Sequence, residues 1–293
     1  MLGKLIKYDF KSLMRILIPA NIAILGAAIL AALSLQFSLR TSVGAMLRGG
    51  FMQLMRTLSG LLVGLMFIGI AAACLFITFM VFYRFYKNFI SDEGYLTFTL
   101  PVKTSQLLWS KLITASIWML ITGIVGLFSL LVFLLLGTSE TSFFNTEIFA
   151  ILGELFRVFG SATGSKLFLE LMLFTLVAMV ANILHIYLAL IIGGVVAQKH
   201  KLLAGIGFYF IINVAQGIVS SIVTFAAAGS TVANMESSMQ VDIIDPYDFG
   251  LVLGRLVSAL QPMFWVTLAT TAVFSVVFFI LSHYLLKNKL NLE

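Results

Sequence analysis

Charge is scarce in this sequence. Only 10% of its 293 residues are Asp, Glu, Lys or Arg, against about 25% in an ordinary soluble domain, and so few charges cannot cover a water-facing surface. Cysteine is nearly absent. The single Cys74 lies within an apolar block, which excludes an intrachain disulfide and a thiolate metal site. Tryptophan and tyrosine number 3 and 8 against 27 phenylalanines, and the apolar residues run in long blocks rather than short alternating strands, so a β-barrel is excluded. A phosphate-cradling GxxxxGK[ST] loop is missing. The nearest stretch, Gly160 to Lys166 (GSATGSK), has the wrong spacing. HExxH is missing too, and His185, His200 and His283 are dispersed, which leaves a metalloprotease without ligands. Serines are plentiful, yet nothing places a nucleophile beside His185, so an intramembrane Ser/His hydrolase has little to stand on.

What is abundant is hydrocarbon: 61% of the residues are hydrophobic and the mean hydropathy is +1.09. A bilayer core about 30 Å thick needs about 20 apolar residues of helix, and such blocks recur at residues 16–36, 58–83, 112–136, 167–196, 203–228 and 262–286. The pattern predicts an all-α fold: a polytopic membrane helical bundle with six transmembrane helices, forming one membrane domain over residues 1–293. The first block is longer than the 7–15 residues of a signal-peptide core and reads as a retained span. No internal repeat, low-complexity tract or linker to a soluble domain is visible.

An even number of spans puts both termini on one side, and the distribution of bases chooses it. Lys4, Lys7, Lys11, Arg15, Arg84, Lys87, Lys103, Lys111, Lys199, Lys201, Lys287 and Lys289 share that side, twelve of the 18 bases, with only four of the 12 acids. Both termini are therefore expected in the cytoplasm. Because these bases punctuate the apolar blocks instead of forming one patch, the net charge of +6 points to membrane lipids as partners and not to nucleic acid.

At 100° per residue, Lys4, Lys7, Lys11 and Arg15 fall within about 80° of one another, with Leu2, Leu5, Ile6, Phe10 and Leu13 on the opposite arc. Residues 1–15 thus predict an amphipathic interfacial helix with its bases toward headgroup phosphates. It is a topology signal and anchor, or a mechanical element linking the first span to a cytoplasmic partner. Asp9 projects from the middle of the apolar arc, where an unpaired carboxylate is costly, and is expected to meet a base of a cytoplasmic loop or partner.

The connection at residues 84–111 is the longest on the same side. It carries the adjacent acids Asp92 and Glu93, then Gly94, which permits a turn that a Cβ would hinder. Pro101 stops any helix arriving from Tyr95, and Thr104 or Ser105 can cap the next one. A short helix between two breakers, held at the membrane surface by Tyr95, Leu96, Phe98 and Leu100, is the expectation. A surface ion pair of Glu93 with Arg84 or Lys87 would explain the charges but not the breakers.

The run DEGYLTFTLPVKTSQLLWSKL, preceded by FYKN and by an N-terminal KLIKYDFK, resembles the permease subunits of type-2 ABC exporters from Gram-positive bacteria, over roughly 40 residues of motif. The resemblance implies a multi-pass protein of the bacterial plasma membrane. It also implies a coupling helix between spans two and three that seats in a groove of a separate ABC ATPase subunit, with the N-terminal helix leaning on it. Carried onto this chain, the matching positions are Glu93, Gly94, Leu100 and Pro101, and the coupling surface is Asp92 to Leu96 with Leu100 and Pro101. Lys103 stands where relatives often have a hydroxyl residue, so capping falls to Thr104. ATP and Mg would be bound by the partner ATPase, this chain holding no cofactor or metal, and a second permease protomer would complete a homo- or heterodimer. The cargo expected for spans with so few charges is lipid-like or an amphipathic peptide.

Inside the spans, Asn182 and His185 share a face of span four, and Asn213, Gln216 and Ser220 a face of span five. Such groups turn inward in lipid, to line a pathway or to bond a neighbouring helix. Gly60 and Gly64 form a GxxxG suited to close helix approach, within the chain or at a dimer seam. Glu170 is expected to reach toward the interface. The extracellular segments, 137–166 and 229–261, hold most of the acids, without an EF-hand pattern. In the first of them Leu152, Leu155, Phe156 and Phe159 follow helical spacing. The rival readings are an ATPase-independent secondary transporter, which would want an intramembrane acid, and an immunity or scaffold protein that transports nothing.

Overall fold

The computed structural model describes residues 2–44, 50–91, 94, 99, 101–137, 146–197, 199–239 and 249–288. Helices carry nearly all of these: α1 Leu2–Gly44, α2 Gly50–Phe89, α3 Thr104–Gly137, α4 Thr146–Gly160, α5 Ala162–Val196, α6 Lys201–Met239 and α7 Phe249–Asn288. All but α4 contain a stretch long and apolar enough to cross a bilayer, which makes six, and each overlaps one of the blocks read from the sequence. The chain is an all-α, multi-pass membrane protein. A lipid environment dictates this outcome, because an α-helix satisfies its backbone polar groups within itself.

The helices overrun their apolar blocks. The apolar stretch of α1, Leu2–Gln36, has 35 residues, about 52 Å at 1.5 Å per residue. The amphipathic segment 1–15 is therefore continuous with the first span and not set off from it by a break. Pro19 sits inside this helix, where its ring removes the N–H that would bond the Arg15 carbonyl. Residues 229–239 and 249–261 likewise continue α6 and α7, while Asp242, Asp245 and Asp248 lie outside the described residues. The helical spacing at Leu152 to Phe159 is realised as α4.

Two compact units divide the chain: residues 1–84 with 109–156, and residues 85–108 with 157–293. In the first, α1 buries one narrow stripe, Leu13, Leu17, Asn21, Ile24, Ala28, Ala31 with Ala32, and Gln36. Steps of three and four along a helix stay on one face, so the rest of α1 is left to lipid. Phe10 stacks on Trp118 of α3 at 4.8 Å, and Phe67 of α2 meets Phe133 of α3 edge to face at 4.9 Å. Gly60 and Gly64 of α2 face open space, with nothing within 4 Å of a built Cβ. Among the described residues the GxxxG thus packs against nothing, because its spacing defines a face without supplying a partner for it.

In the second unit α5, α6 and α7 pack mutually. A short turn returns the chain from α5 to α6, and there the backbones nearly touch. A Cβ on Gly193 would stand 2.5 Å from the Gly205 Cα, so only glycine fits. α5 and α7 run side by side in register: Glu170 meets Gln261, Phe174 meets Phe264 at 5.6 Å, and His185 meets Phe278 at 5.4 Å.

Candidate functional site

Lys4, Lys7, Lys11 and Arg15 are exposed along α1, on the side away from buried Leu13 and Leu17. The base that meets Asp9 is Lys111, in the first turns of α3. Its ammonium pairs with one carboxylate oxygen while the Ser110 hydroxyl donates to the other at 3.3 Å. Both side chains are largely withdrawn from solvent, 11% exposed for Lys111 and 16% for Asp9. Arg84, near the end of α2, donates to the Ser12 hydroxyl of α1. Three helices are thereby tied at one end, through pairs the sequence places 72 and 102 residues apart.

Beyond Arg84 the chain belongs to the second unit. Phe85 stacks face to face on Tyr187 of α5 at 3.7 Å and 9°, and on Phe89 at 4.8 Å. Ile90 lies against Gly194, where a Cβ would come within 2.7 Å of its side chain. Gly94 is buried and helical, its N–H donating to the Ser91 carbonyl at 2.7 Å, so it is part of a helix and not the break expected there. Of the other residues expected to face an ATPase, Pro101 is exposed, whereas Asp92, Glu93, Tyr95, Leu96 and Leu100, and with them the stretch from Tyr95 expected to form a short helix, lie outside the described residues. Leu107 and Leu108, at the start of α3, are buried. Thr104 does not cap α3 as expected. The first turn's N–H groups of Gln106 and Leu107 are taken by the Lys103 carbonyl, which puts Lys103 in the capping position and Thr104 inside the helix. Its hydroxyl is 3.5 Å from His283 Nδ1 of α7.

The polar span residues separate. His185 is buried, stacked on Tyr209 at 4.7 Å, and its Nε2–H donates to the Tyr209 carbonyl at 3.3 Å. Asn182, expected on the same face, is exposed, and so is Asn213. Residues three apart stand about 60° from each other on a helix, enough to straddle the edge of a buried stripe. Gln216 is half-buried, and its Oε1 has no donor among the described residues. The face Asn213–Gln216–Ser220 thus does not bond a neighbouring helix of this chain through that oxygen. Glu170 turns inward instead of toward the interface. It is 9% exposed, accepts from Gln261 Nε2 at 3.0 Å, and has Lys166 at 4.0 Å. Among the described residues no cluster of His, Cys, Asp or Glu could hold a metal ion.

The setting of His185 makes a clean test of its role. His185→Phe keeps the stacking with Tyr209 and Phe278 and loses one hydrogen bond, a cost of about 0.5–1.5 kcal/mol. His185→Ala also leaves a cavity, at about 3 kcal/mol or more. Thermal unfolding in detergent should rank them in that order. A Phe variant no more stable than the Ala variant would show that ring stacking does not hold His185 in place.

Comparison with known proteins returns no matching family model, no matching curated protein and no matching solved structure. The class defined by the fold is therefore multi-pass membrane protein.

Proposed function

We infer that this chain is the membrane subunit of an ATP-driven ABC exporter of the bacterial plasma membrane, with both termini cytoplasmic and its ATPase on another polypeptide. The observation that carries the reading is how residues 84–111 are moored: aromatic and ionic contacts fix the chain firmly on both sides of the segment around Glu93 to Pro101. A soluble motor pressing on a segment with such rims moves helices and not a slack loop. The sequence motif and the missing phosphate loop support the same view. In this mechanism ATP closes two nucleotide-binding subunits, their grooves push the coupling segment, and two permease protomers rock to release a lipid-like or amphipathic peptide cargo outward.

Outward-facing Asn182 and Asn213, with the unanswered Gln216 oxygen, fit the same reading. Amide side chains at bilayer depth want polar company, which a second protomer or a hydrated path between protomers provides. The decisive experiment is co-purification. An ATPase subunit should follow the tagged chain and be lost when Glu93, Leu100 and Pro101 are replaced by alanine. Cargo movement by the purified chain alone would overturn the proposal.

One observation favours a proton-coupled secondary transporter: Glu170 is a buried carboxylate within an apolar span. It sits close to that span's start, however, and its Gln261 bond and Lys166 neighbour give it a structural occupation. Glu170→Gln is therefore expected to leave transport intact and shift stability by about 1 kcal/mol or less. Loss of pH-driven uptake in this variant, with folding retained, would favour the secondary transporter.

A further inference from the structure

Arg84 is a half-buried charge of the first unit with poor compensation. One guanidinium nitrogen donates to the Ser12 hydroxyl, its Nε is buried without a partner, and among the described residues no carboxylate forms an ion pair with it. Lys111 stands near enough to repel it, and the carboxylate at hand, Asp9, is already bound to Lys111. Two cations therefore share one anion at the joined ends of α1, α2 and α3. A half-buried charge without a counter-charge is costly, so this corner is built to receive an anion from outside the chain.

The same three helices carry a second feature. Ala28 and Ala31 of α1, Phe67 and Ile70 of α2, and Gly126 and Phe133 of α3 line a partly open apolar cleft of about 250 Å³. The small residues make the room, and the Phe67–Phe133 pair lends an aromatic wall. Ser129, the hydroxyl on the lining, already donates to the Val125 carbonyl at 2.7 Å, so the cleft offers its guest hydrocarbon alone. Ile70 is about 21 Å from Arg84 along α2, and Gly126 about 22 Å from Lys111 along α3, at 1.5 Å per residue. Half of a bilayer about 40–45 Å thick with its headgroups is nearly that distance. A phosphate at Arg84 thus sets the cleft at the depth where its acyl chains end.

We propose that each chain binds one anionic phospholipid, its phosphate on Arg84 beside Lys111 and the end of one acyl chain in the cleft between α1, α2 and α3. An acidic side chain of a partner protein would answer Arg84 but leave the cleft, and its depth, without a purpose. The site lies wholly within one unit of one chain and does not rest on ATP-driven transport.

Native mass spectrometry of the full-length chain in detergent tests it, with phosphatidylglycerol and phosphatidylcholine of identical acyl chains. Wild type should keep one phosphatidylglycerol per chain and hold phosphatidylcholine roughly tenfold more weakly, the scale of one surface charge. Arg84→Gln should abolish that preference, and Arg84→Lys should retain it. Gly126→Leu fills the cleft, and since a Cβ there meets nothing within 4 Å the chain tolerates it; both lipids should then weaken alike. Helix content and gel filtration establish that each variant is folded. Equal retention of the two lipids by wild type, or an undiminished preference in Arg84→Gln, would overturn the proposal. So would displacement of the lipid by millimolar glycerol phosphate, which would reassign the site to a soluble anion.

Discussion

Gly193→Val should largely remove the folded protein from the membrane. The new Cβ would lie 2.5 Å from the Gly205 Cα and 2.9 Å from the Ala204 carbonyl carbon. These are backbone atoms, with no rotamer to turn aside. Overpacking against side chains costs about 1–3 kcal/mol, and here α6 as a whole must retreat, opening its contacts with α5 and α7. The monodisperse fraction after detergent extraction should fall several-fold. Gly205→Val should be milder, since its Cβ meets the Leu190 Cδ2 at 3.0 Å and Cα at 3.2 Å, and the leucine tip can yield. Gly64→Val, facing open space, should extract like wild type. If Gly193→Val and Gly64→Val behave alike, the close approach of α5 and α6 is wrong. Should Gly64→Val instead alter only the oligomeric state, that glycine belongs to a seam between protomers.

Asp9→Ala is expected to destabilise the first unit by about 3–5 kcal/mol, because it strands the Lys111 ammonium in a site that excludes most water. Lys111→Met should cost a similar amount by stranding Asp9, which keeps only the Ser110 hydroxyl. Joining the two, as Asp9→Leu with Lys111→Met, should recover most of the loss, since a well-packed apolar pair often replaces a buried ion pair without penalty. Thermal unfolding of wild type, Asp9→Leu, Lys111→Met and the double variant in one detergent measures the coupling directly. Purely additive losses would mean the two groups do not act as a pair. Transport adds a second readout under the exporter proposal. The apolar double variant holds α1 on α3 through contacts without direction, so it should unfold late yet couple ATP hydrolysis to export poorly.

The architecture was written plainly in the composition, because lipid as a solvent leaves the backbone few choices and asks for long apolar runs. Asp9 was legible for a related reason: a carboxylate on an apolar arc demands a base, although the pattern did not single out Lys111. Other features needed the third dimension. The GxxxG at Gly60 and Gly64 has the spacing for close approach, but spacing marks a face and is silent about what lies opposite. The glycine that takes a neighbour's backbone is Gly193, which resembles ordinary span filler until the α5–α6 turn brings Gly205 to it. Asn182 and His185 share an arc on a helical wheel, yet a buried stripe edge falls between them. Phe85 and Tyr187 read as two aromatics among many; nothing local marks a stack that moors the end of one helix to another.

Pro19 gives α1 a property that its unbroken length hides. The bond missing at the Arg15 carbonyl makes this the point where bending the rod costs least, about 15 Å along from Asp9. Beyond it, Asn21 through Gln36 are seated in their buried stripe. The basic end can therefore swing with whatever pulls on the Asp9–Lys111 clasp while the upper shaft keeps still, like an oar in its rowlock. A displacement at the basic end is then taken up before Pro19, where it disturbs Leu13 and Leu17 without unseating Asn21 through Gln36.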